Sequence, residues 1–171
     1  MINEDAFQYL EKTKDFYDVI LIDLPDPKTV ELGRLFSREF YEMCNRQLRP
    51  NGLIITQAGS PYFAARAFKC IQKSMEAAGF SCVPMHNQVI TLGEWGWVVG
   101  AKSLSAEELK YSLQHIDLKG IKTRWLNRDA MVMMTSFGKD LPLDKQEEVR
   151  VNTLHDPVLY KYYLKGNWDL Y

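Results

Sequence analysis

Most of the signals that assign a chain to a class are missing here. Cys44, Cys70 and Cys82 are three, an odd number, with no close pair and no Cys-x-x-Cys. That pattern argues against a disulfide frame and reads as reduced interior thiols of an intracellular protein. His86, His115 and His155 are scattered without zinc-ligand spacing, so no metal cofactor is expected. Lys and Arg total 21 against 22 Asp and Glu, a net charge of −1, which leaves no basic field for nucleic acid. The apolar runs fall far short of the roughly 20 residues that span a bilayer. Asn3, Glu4 and Asp5 follow the first two residues, so no signal peptide is expected. Repeats and low-complexity tracts are absent. What remains is an ordinary globular composition, 46% hydrophobic and 25% charged over 171 residues, enough for a substantial core.

The periodicity is that of an α/β chain. Ala6, Phe7 and Leu10 share a face and predict a helix over 3–12, with Asn3 as its cap. Residues 17–23 are apolar on both faces, the pattern of a central strand covered on both sides. Ser37 opens a helix carrying Phe40, Cys44 and Leu48, stopped by Pro50-Asn51-Gly52. A strand over 53–57 follows. Ser60-Pro61 then opens a long amphipathic helix with Phe63, Ala67, Ile71 and Met75 in one row, ended by Gly79. Strands over 81–89 and 95–102 lie close enough to be antiparallel neighbours. Helices are expected at 105–115, at 127–135 (capped by Asn127, closed near Gly138), and at 158–164 after an Asp156-Pro157 start. Residues 139–153 read as a surface loop. Alternating strands and helices predict a parallel sheet with an antiparallel edge.

The most informative run is Tyr17-Asp18-Val19-Ile20-Leu21-Ile22-Asp23-Leu24-Pro25-Asp26-Pro27. Acids at the carboxyl end of a buried strand sit where open α/β sheets bind ligands. Two carboxylates there, stiffened by two prolines, fit a cationic or amine substrate. The same Asp-Pro pattern also serves as a plain turn cap, and Asp5 also reads as an acid that complements a helix dipole.

Together these residues resemble the polyamine aminopropyltransferases, the spermidine synthase family. Asp23-Leu24-Pro25-Asp26-Pro27 looks like the family's Asp-x-x-Asp-Pro signature, and Asn3-Glu4-Asp5-Ala6-Phe7 like its acidic segment after the third strand. Phe40-Tyr41, Gly52, Gln57, Ser60-Pro61 and Gly93-Glu94-Trp95-Gly96-Trp97 sit where the family places such residues. The resemblance covers roughly residues 2–102. Residues 103–171 look like the tail of bacterial members with an amino-terminal membrane domain. The family's glycine-rich donor loop has no counterpart in the chain. A tyrosine before the late glycine turn is replaced by Val89 or Ile90.

The resemblance implies the carboxy-terminal half of a methyltransferase-like Rossmann sheet over 1–102, with parallel strands and an antiparallel edge hairpin, and a helical extension over 103–171. It implies aminopropyl transfer from decarboxylated S-adenosylmethionine, a co-substrate, to putrescine, giving spermidine and methylthioadenosine. Asp23 would take the amine's proton, Asp26 and Gln57 would bind the substrate, and Asp5 would bind the donor's adenine. The isolated fragment is expected to be inactive. A cytoplasmic location is expected, with the parent protein's attachment to the inner membrane left open. Two other functions stay open on the residues: an S-adenosylmethionine-dependent methyltransferase and a non-catalytic module binding polyamine or a partner. Trp95 and Trp97 read as core packing on the hairpin, and the three histidines as bystanders. Homo-oligomerisation is expected, through the flank of strand 17–23 or the aromatic tail of Tyr160, Tyr162, Tyr163, Trp168 and Tyr171.

Overall fold

A computed structural model describes residues 2–137 and 148–168. Four strands form one sheet: β1 (Tyr17–Ile22), β2 (Leu48–Gly59), β3 (Ser81–Val89) and β4 (Gly93–Ala101). Their spatial order is β1-β2-β4-β3. β1 and β2 are parallel, whereas β4 runs antiparallel to both β2 and β3. Helices α1 (Ala6–Lys12), α2 (Val30–Gly33), α3 (Arg38–Gln47) and α4 (Ala65–Ala77) interleave with the strands. Helices α5 (Ala106–Gln114), α6 (Arg128–Met134) and α7 (Leu159–Leu164) follow. The order and the parallel-plus-hairpin sheet match the sequence reading.

Side chains alternate across each strand, so the sheet has two distinct faces. Ile54, Cys82 and Val98 point into a core with Phe36, Phe40, Tyr41, Phe68, Ile71, Met75 and Leu159 from the helices. Val83, Met85, Val99 and Ala101 point the other way, against Leu109 of α5 and Met131 of α6. α4 lies flush on β4 because that strand is bare there. A Cβ on Gly96 would fall 2.5 Å from Phe68 Cε2, and one on Gly100 would fall 2.9 Å from Ile54 Cγ2.

β1 corrects the expectation of a strand covered on both sides. It is a sheet edge among the described residues, and Val19 and Leu21 are 52% and 72% exposed. Helices α5 and α6 pack over β3, leaving the same face of β1 open. The aromatic tail turns inward: Tyr162 and Tyr163 are buried in the chain's own core, and Tyr163 packs against Trp168. Tyr171 lies outside the described residues.

Three helix starts also differ from the sequence reading; one is α4, which begins at Ala65, after the turn opened by Ser60-Pro61. α1 is capped by Asp5, whose Oδ1 accepts from the Gln8 amide at 3.1 Å, and not by Asn3. Two candidate caps two residues apart are not separable by pattern. Asp156 does not cap α7. Its carboxylate pairs with Arg150 at 2.9 Å, and the free amides of Val158 and Leu159 donate instead to Asn152 Oδ1 at 3.1 and 3.2 Å.

Every polar atom of Asn152 is hydrogen-bonded. Its Nδ2 donates to the Gly33 carbonyl, its amide to Ser74 Oγ, and its carbonyl accepts from Arg38. One buried residue thereby joins the α2–α3 junction, α4 and α7. The expected surface loop over 139–153 is therefore corrected at its end, where Val149 and Asn152 are buried. Its first part, 139–147, and the Gly138 closure of α6 lie outside the described residues. Replacing Asn152 with Ala leaves three buried polar groups without partners. It should cost about 3 kcal/mol in denaturant unfolding, whereas Asp156→Ala should cost under about 1 kcal/mol.

All three cysteines are buried and free. Burial pushes the Cys44 and Cys70 thiols up to about 12, and the Cys82 thiol up as well. A thiol attacks only as thiolate, so all three should resist Ellman's reagent at pH 8 in the folded protein and react when it is unfolded in guanidinium. Prompt labelling of the native chain would contradict this packing.

Candidate functional site

The register of the parallel pair sets the site. Ile22 stands opposite Thr56, so the residues that follow, Asp23 and Gln57, emerge side by side at the carboxyl end of both strands. Gln57 in turn stands opposite Trp97 on β4. Asp23, Gln57 and Trp97 thus form a row across the sheet, on the face away from α3 and α4. They line a cleft of about 340 Å³ with Leu21, Ile55, Val89, Leu92 and Trp95.

The walls of this cleft are aliphatic and aromatic, and Asp23 is the carboxylate in its lining. Asp23 is exposed, and no described residue hydrogen-bonds or ion-pairs its carboxylate. A carboxylate beside apolar walls is suited to an alkyl ammonium: the charge meets the anion while the methylenes lie on the rings.

The acidic turn is held from below. Pro27 is buried and Asp26 half-buried, and the Lys28 amide donates to the Asp26 carbonyl at 2.7 Å in a tight turn. The Asp26 carboxylate has Lys28 Nζ at 3.7 Å and does not line the cleft. Gln57 is 5% exposed and its amide is largely spent. Nε2 donates to the Leu24 carbonyl at 2.8 Å, and Oε1 accepts from the Gly59 amide at 3.1 Å and the Trp95 indole at 3.2 Å.

Asp5 stands apart from this cleft. Beyond capping α1, it pairs through Oδ2 with Arg34 Nη2 at 2.5 Å, and Arg34 lies over the Phe7 ring at 5.4 Å. The structure thus brings Asp23 and Gln57 together, keeps Asp26 one turn away, and gives Asp5 a structural partner that the sequence reading lacked.

Trp95 and Trp97 are cleft residues as well as packing residues. Their alternation with Gly96 is the signal, since period two on a strand puts both indoles on one face. The same end of the sheet carries a second polar group. His86 Nδ1 faces the Glu94 carboxylate, and its Nε2 meets the Ser136 carbonyl at 2.8 Å, with Tyr62 edge-on to the ring.

A mixed sheet whose parallel pair ends in an acid-bearing cleft is an α/β fold of the methyltransferase-like Rossmann class. The chain belongs to the spermine/spermidine synthase domain family, whose sequence model matches residues 1–111. It is 38% identical over 172 residues to a polyamine aminopropyltransferase of Oceanobacillus iheyensis, covering 99% of this chain and 32% of that protein. It is 39% identical over 165 residues to polyamine aminopropyltransferase 2 of Aquifex aeolicus, covering 96% and 31%. The chain therefore spans about a third of the length of the curated relatives it matches. Among solved structures, a spermidine synthase in complex with the transition-state analogue AdoDATO superposes with a TM-score of 0.64 at 20% identity, covering 79% of this chain and 46% of that one. Spermidine synthase from Thermotoga maritima gives 0.61 at 21% identity, covering 78% and 45%. These likenesses establish the shared fold.

Asp5 joins a cap and an ion pair, so its loss is felt twice. Asp5→Ala should cost about 1–2 kcal/mol in thermal unfolding. Arg34→Ala should cost under about 1 kcal/mol, because that pair is partly exposed. Equal and negligible effects would count against the contact.

Proposed function

We propose that this chain carries the amine-acceptor side of a polyamine aminopropyltransferase. The reading rests on family membership and on one observation: the Asp23 carboxylate, without a partner among the described residues, stands at the end of β1 in a cleft walled by Leu21, Leu92, Trp95 and Trp97.

The reaction is a displacement. The nitrogen of a diamine attacks the aminopropyl carbon bound to the sulfonium of decarboxylated S-adenosylmethionine. The C–N bond forms as the C–S bond breaks, the electron pair goes to sulfur, and methylthioadenosine leaves. The attacking nitrogen must be neutral, yet alkyl amines have a pKa of about 10.4. Asp23 accepts a proton from that nitrogen and turns its lone pair toward the carbon. Its placement next to the β1–β2 ladder supplies orientation, which counts for several kcal/mol in such reactions. Asp26 holds the substrate's charge at the turn in place of Lys28, and Asp5 accepts from the donor's adenine amino group. The donor needs little activation, since a sulfonium is already a good leaving group.

The open flank of β1 fits this reading. The curated relatives are about three times as long as this chain, and the edge of β1, unpaired among the described residues and with Val19 and Leu21 exposed, could accept an additional parallel strand.

Calorimetric titration of this chain with putrescine is the direct test. Binding is expected, weakened about tenfold or more in Asp23→Asn, as for loss of a charge-assisted hydrogen bond. Weakening in Asp26→Asn should be smaller. Equal affinity in wild type and Asp23→Asn, or no heat at millimolar putrescine, would overturn the assignment.

A further inference from the structure

Gln57 faces the cleft, and the expectation from sequence is a ligand contact. The geometry points to another role. We propose that Gln57 is a positioning residue: its amide locks the Asp23–Asp26 turn to the Trp95 indole, so that the acid and the aromatic wall of the cleft are set as one unit.

The donors and acceptors around the Gln57 amide fix its orientation. The Gly59 amide and the Trp95 indole can only donate, so both must face Oε1. The Leu24 carbonyl can only accept, so it must face Nε2. The side-chain amide therefore has a single orientation, with both Oε1 lone pairs used and one Nε2 hydrogen left. Leu24 sits next to Asp23 in the turn, and its carbonyl is the atom held. Trp95 stands on β4, across the cleft from β1, with β2 and Gln57 between them. The bridge thus runs from the acidic turn, through the side chain of the middle strand, to the wall that the amine's methylenes would touch. At 5% exposure the amide is screened from water, so each of these bonds is worth more than at the surface. A residue serving mainly as a ligand donor would keep its amide free.

The role rests on the amine-acceptor reading above for its consequence, but not for its detection. The test uses this chain, with indole and backbone amide resonances followed by NMR in the absence of any amine and putrescine affinity measured alongside. Three variants are made: Gln57→Ala, Trp95→Phe, which keeps an aromatic wall and removes only the indole donor, and the double mutant. A fourth, Gln57→Glu, keeps both bonds accepted by Oε1 but sets a carboxylate oxygen against the Leu24 carbonyl.

In ligand-free protein, Gln57→Ala should shift the Trp95 indole N–H and the amides of Asp23 to Asp26. Gln57→Glu should disturb the turn at pH 8 and recover toward wild-type shifts near pH 5, where a protonated carboxyl donates again. Each single variant should weaken putrescine about tenfold, and the double mutant should be no worse than either, the mark of one shared unit. Unchanged turn and indole resonances in ligand-free Gln57→Ala, or additive losses of affinity, would overturn the proposal and restore Gln57 as a direct contact. If wild type itself fails to bind putrescine, the acceptor reading falls, while the ligand-free shifts still judge the bridge.

Discussion

Ile22 and Thr56 face each other across a parallel ladder, and the site follows from that pairing. A slip of one residue would turn every side chain of β1 to the opposite face. Asp23 would then leave the row it shares with Gln57 and Trp97 and point toward α3 and α4. The register is secured on the buried face, where Ile22 and Ile54 join the main core and Ile20 packs against it. Chemistry on one face is thereby fixed by packing on the other.

The three acids singled out in the sequence end in three electrostatic situations. Asp5 is neutralised by Arg34 and by a helix terminus. Asp26 has Lys28 close by. Asp23 alone among them has no described partner. A cation entering the cleft meets Asp23 without displacing a protein group, whereas Asp26 must trade one ammonium for another. That ordering comes from local chain geometry: the two prolines and the Lys28–Asp26 turn bend Asp26 away from the sheet, while Asp23 continues the line of β1.

Much of the fold was legible because its signals are local. Ser37 starts α3 and Asn127 caps α6 as the pattern predicts, and Ser105, read as the first residue of a helix, caps α5 in a reciprocal pair with Glu108. Gly79 takes a positive φ of 90° just after α4. What was not legible is non-local. The cap of α7 comes from Asn152, outside the helix and its Asp-Pro start. Asp5 and Arg34 are 29 residues apart. The apolar content of β1 records a need for cover on two faces, but not which chain segment supplies it. In the candidate site, Asp23 and Gln57 were legible as strand-end residues of adjacent strands. The spent amide of Gln57 was not, because its partners Leu24 and Trp95 meet only when three strands assemble.

The rim of β1 that no other described strand pairs with has a further consequence. A strand hydrogen-bonded on one side alone alternates between amides tied into the ladder and amides turned to water. Deuterium would enter the outward set quickly and the inward set slowly, so two chemically similar neighbours would report opposite lifetimes. Any strand that settled on this rim would erase the contrast, and the loss of that alternation would map where it binds.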